Sequence, residues 1–167
     1  MIIQTSNTNN PVWRDVHVHS SLPAKLRPLE EIAHNIWWTW SDEAKDVFNL
    51  LDLEEYEKHD KNPVALLQNL KSERIDELVK DEAIIERINK VHKSFKDYMA
   101  VPYNSERPSI AYFSMEYGLS HVLKIYSGGL GVLAGDYLKE ASDSRVDMTA
   151  VGFLYRQGYF TQSLSMD

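Results

Sequence analysis

The sequence predicts an α/β protein in which a helical N-terminal segment leads into the start of a parallel α/β unit. Apolar residues recur at helical spacing over residues 22–100. From about residue 109 the pattern changes to strand, glycine-rich loop, helix and strand, which is the order of a unit with a parallel sheet. We therefore divide the chain into an N-terminal arm with a short strand (1–21), a helical region (22–100) and the beginning of an α/β domain (109–167).

Composition and charge narrow the class of protein. At 167 residues the chain can hold one ordinary domain, or one domain with a helical extension. Its formal net charge of −7 argues against a nucleic-acid surface, which needs clustered lysine and arginine. The absence of cysteine excludes disulfides and thiolate metal sites. No apolar run approaches the roughly 20 residues that span a bilayer and no signal-peptide pattern stands at the start, so we predict a cytoplasmic protein without membrane contact.

The N-terminal arm contains one alternating run, Val12–His19. Its valines fall on one face and His17 and His19 on the other, as in a short half-exposed strand. A His-x-His pair can bind a metal, but no further ligand follows nearby, and we favour an incidental pair with no metal site.

The segment 25–60 predicts helices. Pro28 fits a first helical turn, and Ser41 is a candidate cap for a second helix that runs toward Leu51. The aromatic cluster Ile36–Trp40 could stack on sugars, but tryptophans at this period more often pack in a core, and we favour packing. The residues at helical spacing are Leu26, Leu29, Ile32, Ala33, Ile36 and Trp40.

Residues 63–98 predict further helices with a charged, solvated face. Acidic and basic residues alternate around apolar stripes, and exposed pairs of this kind stabilise little. The stripes do not hold a heptad over several turns, which argues against a partner-binding coiled coil.

Four segments define the beginning of the α/β domain. Ser109–Ser114 is a nearly continuous apolar run, typical of a strand buried on both faces. Met148–Tyr155 is again strand-like, and Val132–Ser142 has an apolar stripe at helical spacing, formed by Val132, Leu133, Tyr137, Leu138 and Ala141. A turn at Arg156–Gly158 then leads into a further strand-like segment, Tyr159–Gln162.

The most informative segment is Ser127–Asp136, which lies between the predicted strand and helix. Gly128, Gly129 and Gly131 remove Cβ atoms where the backbone turns sharply or approaches another group closely. A helix that begins here points free N–H groups toward the loop, which suits a phosphate. The spacing is neither a dinucleotide fingerprint nor a P-loop. Alone, it supports a tight turn and a phosphate site equally.

Ordered blocks of the sequence match one family together. This succession resembles the α-glucan (glycogen and maltodextrin) phosphorylases, in their bacterial branch, from about residue 11 to the end. Blocks that match in order are much more specific than any one of them. They are Leu29–Trp40, Ile110–Leu119, Ile125–Asp136, Leu138–Asp143 and Val151–Phe160.

The resemblance implies a GT-B fold, with two Rossmann-like domains facing across a cleft. Such enzymes cleave the terminal α-1,4 bond of a glucan with inorganic phosphate and release α-D-glucose 1-phosphate. Pyridoxal phosphate is held by a lysine of the C-terminal domain, and its 5′-phosphate relays a proton. The resemblance also implies that the full-length enzyme is commonly a homodimer. By similarity, backbone amides of Gly128, Gly129, Leu130 and Gly131 would lie beside the phosphate and glucosyl groups.

Two acidic residues flank the glycine segment. Glu116 follows an apolar strand, at the edge where α/β sites gather. We favour a carboxylate that hydrogen-bonds loop amides over a catalytic acid, and the family mechanism uses no protein carboxylate as the acid. Asp136 is similarly expected to be structural and favourable to the helix dipole. Arg156 is left open between a phosphate or subunit contact and a solvated turn residue.

The sequence departs from the family in two ways. Bacterial relatives often have a His-Glu pair and a Pro before the glycine block, whereas Ser120–Lys124 stands here, so His121 receives no family role and Lys124 only adds a cation. Nothing matches the pyridoxal-phosphate lysine or the second domain. We expect an N-terminal piece that has no catalytic residue of its own and is inactive alone.

Two alternatives stay open. A glycogen or starch synthase also carries a Gly-Gly-x-Gly loop, but such enzymes usually have a lysine before the glycines, where Ser127 stands here. A non-catalytic glucan-binding module would use the tryptophan cluster to stack sugars.

Overall fold

The computed structural model describes residues 21–104, 106, 108–160, 162, 164 and 165. The strand predicted at Val12–His19, with His17 and His19, lies outside these residues. The elements within them, in chain order, are α1 (Pro28–Ala33), a 3₁₀ helix (Ile36–Thr39), α2 (Asp42–Leu51), α3 (Leu53–Lys58), α4 (Pro63–Asn69), α5 (Ser72–Lys80), α6 (Glu82–Ala100), β1 (Ile110–Phe113), α7 (Gly129–Asp143) and β2 (Met148–Val151).

Short polar side chains begin several of the helices. The predicted Ser41 cap is confirmed, because its hydroxyl accepts a hydrogen bond from the Ala44 amide at 3.4 Å, and α2 ends at Leu51. Asp52, Asn62 and Asp81 cap α3, α4 and α6 in the same way. Each cap pairs one or two of the first N–H groups of its helix, so the chain can turn sharply between short helices.

The tryptophan cluster is part of the helical core. Trp37 and Trp38 are only 8% and 5% exposed. The Trp37 ring lies 5.5 Å from Phe95 of α6, and the Trp38 ring lies 6.1 Å edge-on from Phe48 of α2, measured between centroids. The packing interpretation is confirmed for both rings, and neither offers a free face to a sugar.

The long helix α6 organises the helical layer. Its buried stripe, Ile88, Val91 and Phe95, packs against α1 and α2. The opposite face is charged and exposed, with ion pairs such as Arg87–Asp46 at 3.2 Å. The predicted solvated face is confirmed.

The second part of the chain is a β-α-β unit. β1 and β2 pair in parallel, with Ile110 opposite Met148 and Phe113 opposite Val151, and α7 lies in the connection between them. The described protein is thus mostly helical, with a two-stranded parallel sheet that agrees with the α/β prediction at this level.

The predicted burial of the first strand is wrong. Ile110 is 39% and Phe113 71% exposed, because the described sheet has two strands and only α7 packs beside it. The second strand is also shorter than the predicted Met148–Tyr155, since β1 ends at Phe113 and offers no partner beyond Val151. Among the described residues of 159–162, none is in a strand.

The packed face of α7 is formed by small residues, which corrects the predicted apolar stripe. Val132, Leu133 and Tyr137 are 46%, 70% and 51% exposed. The buried positions are Gly131, Ala134, Gly135 and Ala141, of which only Ala141 belongs to the predicted stripe. The helix lies so close to the segment before it that larger side chains do not fit between them.

Candidate functional site

The Glu116 carboxylate joins the loop after β1 to the glycine segment. Its Oε2 accepts a hydrogen bond from the Ser127 amide at 2.7 Å, and its Oε1 accepts one from the Gly131 amide at 3.2 Å. Charge-assisted bonds of this kind to backbone N–H groups are stronger than neutral ones. A single side chain therefore fixes the loop on both sides of Gly128 and Gly129.

Gly118 brings the same segment against α7. Its amide donates to the Gly131 carbonyl at 2.6 Å. A Cβ on Gly135 would fall on the Gly118 backbone, so both positions need glycine for this close approach. The sequence prediction gave no role to Gly118, although the Gly131 and Gly135 spacing of four on a helix was a signal for such a contact.

Gly128 and Gly129 have different surroundings from Gly131. A Cβ on Gly131 would lie 2.5 Å from the Tyr126 Cβ and 3.1 Å from the Glu116 Cδ. A Cβ on Gly128 or Gly129 would meet nothing within 4 Å. Neither of these two glycines has a positive φ, so the backbone does not require glycine there either.

The amides at this end of α7 are available to a ligand. α7 begins at Gly129, and Gly128 precedes it in an extended conformation without a capping side chain. Within the described residues, the amides of Gly128, Gly129 and Leu130 make no hydrogen bond. Unpaired N–H groups at the start of a 15-residue helix favour a negatively charged group.

A cavity of about 170 Å³ lies beside the loop. Polar and aromatic groups line it together, among them Glu116, Lys124, Tyr126, Ser127 and Tyr159. The lysine side chain is exposed, and it places a positive charge on the same side of the loop as the cavity.

Tyr117 ties the two strands together behind the site. Its hydroxyl donates to the Tyr112 carbonyl at 2.6 Å and lies 3.2 Å from the Val151 carbonyl. Burial raises the pKa of the Tyr117 hydroxyl, which stays a neutral donor. The sequence prediction gave Tyr117 no role, and a lone tyrosine after a strand carries no signal for one.

The other predicted residues lie around the site. Leu130 is 54% exposed at the start of α7, and Asp136 is exposed one turn and a half further along the same helix. Arg156 is exposed in a bend. The His121 Nε2 lies 2.8 Å from the Asp60 carbonyl, and the residue lines a cavity next to the loop together with Tyr126 and Ser127. The structure thus brings Glu116 to the glycine loop, whereas among the described residues neither Asp136 nor Arg156 makes a side-chain hydrogen bond or ion pair with that loop.

Within the described ranges, no group of three potential metal-ligating side chains comes together. None of the helices there combines the length and the apolar character needed to cross a bilayer.

Comparison with known proteins assigns the chain to a family. The sequence model of a family described as "Protein of unknown function (DUF3417)" matches residues 22–123, more than half of the chain. The chain belongs to the DUF3417 family. The matched DUF3417 region contains the helical layer, β1 and Glu116, and it ends before the glycine segment.

Curated relatives connect this DUF3417 protein to the phosphorylases. It is 40% identical over 157 residues to a maltodextrin phosphorylase of Thermococcus litoralis and 39% identical over 162 residues to a glycogen phosphorylase of Mycobacterium tuberculosis. Each alignment covers 90% of this chain and 19% of the relative. A glycogen phosphorylase of Aquifex aeolicus is 41% identical over 142 residues, 83% of this chain and 20% of the relative.

The predicted resemblance to α-glucan phosphorylases is confirmed by these relatives. The chain spans about a fifth of their length. The search of solved structures gave no significant match.

Proposed function

We propose that this chain forms the glycine-loop side of the active site of an α-glucan phosphorylase. Such an enzyme cleaves terminal α-1,4-glucosidic bonds with inorganic phosphate and yields α-D-glucose 1-phosphate. The proposal is supported by the three phosphorylases that match 83–90% of the chain. It is also supported by a loop geometry that suits an anion.

The observation that carries the proposal is the free space at Gly128 and Gly129. Within the described residues, neither the backbone conformation nor the packing requires glycine at these positions. A close approach of the backbone to a bound group would require it. We propose that this group is the substrate phosphate together with the terminal glucosyl unit, and that Leu130 contacts the glucose.

The chemistry of phosphorolysis explains why fixed amides would be useful here. Positive charge develops on the sugar next to the phosphate, and dipoles that are already aimed at the anion stabilise this arrangement without reorganising. Glu116 would act as a loop-supporting residue, because both of its oxygens already accept from loop amides. Asp136 would support the loop only indirectly, as a residue of α7.

The residues present do not fit a pyridoxal phosphate site by themselves. A Schiff base needs a lysine inside a formed pocket, whereas Lys124, which lines the cavity next to the loop, is exposed. We therefore propose that the cofactor is held mainly by polypeptide outside these 167 residues and that this chain alone is inactive.

We also propose a domain architecture for this part of the enzyme. We propose that residues 109–167 begin a GT-B-type Rossmann-like domain, that residues 22–100 precede it as a helical region, and that residues 1–21 form an N-terminal arm with a short strand. The parallel β1-α7-β2 order and the position of the glycine loop after a strand support this. We also propose that the enzyme is a cytoplasmic homodimer. It uses α-1,4-glucan and phosphate and has no nucleic-acid or membrane partner.

The direct test is an assay of the protein produced from its complete reading frame. With maltodextrin and inorganic phosphate, we expect release of glucose 1-phosphate and the absorbance of bound pyridoxal. Transfer from a nucleotide sugar without phosphorolysis would indicate a synthase instead. A protein that binds the cofactor but releases no glucose 1-phosphate would overturn the proposal.

A further inference from the structure

Within the part of the chain that the structure describes, side-chain hydrogen bonds join the helical layer to the β-α-β unit at two separate places. One contact precedes α7 in the chain, and the other lies at its last turn. Because α7 has 15 residues, it is about 22 Å long, and one part of the helical layer contacts the crossover before it while another contacts its last turn.

The first contact is the N-terminal anchor, His121 with Asp60. The His121 Nε2 lies 2.8 Å from the Asp60 carbonyl oxygen. A carbonyl oxygen only accepts, so Nε2 carries the proton and donates. Val122 packs beside it against the helical core. These two residues fix the chain five to six residues before Ser127, where the glycine segment begins.

The second contact is the C-terminal anchor, in which Tyr98 and Trp40 meet Asp143. The Tyr98 hydroxyl lies 2.6 Å from the Asp143 Oδ1 and 2.7 Å from the Ser142 Oγ. The Trp40 Nε1 donates to the same carboxylate at 3.3 Å. The last turn of α7 is therefore attached to α6 and to the end of the 3₁₀ helix.

Arg145 strengthens the C-terminal anchor at the cost of backbone strain. It has a φ of 54°, a conformation that usually belongs to glycine after a helix end. Its guanidinium lies 3.9 Å from the centroid of the Tyr98 ring. A glycine there would relieve the backbone but would lose the contact with Tyr98.

We propose that the helical layer positions the glycine loop by holding both the crossover before α7 and the last turn of α7, and that Tyr98 and His121 are positioning residues for the proposed phosphate and glucosyl site. A helix attached only at its last turn can pivot, whereas a second attachment in the crossover, which Glu116 links to the Ser127 and Gly131 amides, limits that movement. The role of the loop rests on the proposed function, but the coupling of the two anchors to the loop does not.

The test measures the loop directly. In the protein from the complete reading frame, hydrogen exchange is followed at the Ser127 and Gly131 amides in Tyr98→Phe and His121→Ala. Tyr98→Phe keeps the ring under Arg145 and removes the hydroxyl contacts. Losing about one hydrogen bond should speed exchange at these amides by about two- to tenfold. Tyr103→Phe, an exposed tyrosine at 62%, is the matched control and should change nothing.

A local structural role predicts a different pattern. In that case Tyr98→Phe would speed exchange only near residues 140–146, and unchanged exchange at Ser127 and Gly131 in both variants would overturn the proposal. His121→Gln, which can still donate to Asp60, should restore slow exchange. Failure of glucose 1-phosphate release leaves this measurement unaffected, so the two proposals fail separately.

Discussion

Gly129 and Gly131 lie two residues apart in the first turn of α7 but serve different purposes. A Cβ on Gly131 would clash with Tyr126 and Glu116, so the packing of the fold requires glycine there. Gly129 faces open space. The sequence alone does not distinguish the two glycines, because the residues that contact Gly131 and not Gly129 come from the segment 116–126.

The two positions predict opposite responses to alanine. Gly131→Ala places a Cβ 2.5 Å from the Tyr126 Cβ, and we expect a loss of roughly 1–3 kcal/mol in the free energy of unfolding. Gly129→Ala meets nothing within 4 Å and should be neutral, or stabilising by up to about 1 kcal/mol. Urea denaturation of both variants measures this, and equal losses would show that the loop packs differently.

At the scale of elements, α3 shows how a six-residue helix is held in place. Its Tyr56 is 2% exposed and lies 6.1 Å from Phe48, measured between ring centroids. Burial raises the pKa of the Tyr56 hydroxyl to about 12, because the charged form is poorly solvated there. An unfolded tyrosine titrates near 10.

This pKa shift predicts an alkaline loss of stability. Below about pH 10 the Tyr56 hydroxyl is protonated in both the folded and the unfolded state, and its contribution to stability is fully present. Between about pH 10 and pH 12 the unfolded state releases this proton, whereas the folded state keeps it. The free energy of unfolding should therefore fall with pH in this window, by about 1 kcal/mol at about pH 11. Tyr56→Phe should lack this loss, and Tyr103→Phe should retain it. Parallel urea midpoints for the wild type and Tyr56→Phe would contradict the assignment.

The secondary-structure elements were easier to predict from the sequence than the packing around them. Helix starts such as Ser41 follow from local capping chemistry, and the order of strand, glycine loop, helix and strand follows from local pattern. The exposure of Phe113 could not be predicted, because an apolar strand gives no information about whether other elements cover it. Most of the buried face of α7, namely Gly131, Ala134 and Gly135, was missed because small residues carry little hydrophobic signal.

At the scale of the whole molecule, the helical layer and the β-α-β unit meet through polar and aromatic contacts. Sequence could not predict these contacts, since Tyr98 and Asp143 are 45 residues apart and neither belongs to a motif. Within the site, the Glu116 geometry depends on the same long-range folding, because its partners Ser127 and Gly131 lie 11 and 15 residues away.

The central claim is that Gly129 is glycine because a substrate approaches it. In the protein from the complete reading frame, Gly129→Ala should keep or raise the melting temperature but raise the KM for phosphate or lower kcat by about tenfold or more, since small displacements at a reacting centre are costly. Ser72→Ala, at the first position of α5, is the matched control and should leave both constants unchanged. A Gly129→Ala enzyme with wild-type KM and kcat would contradict the claim.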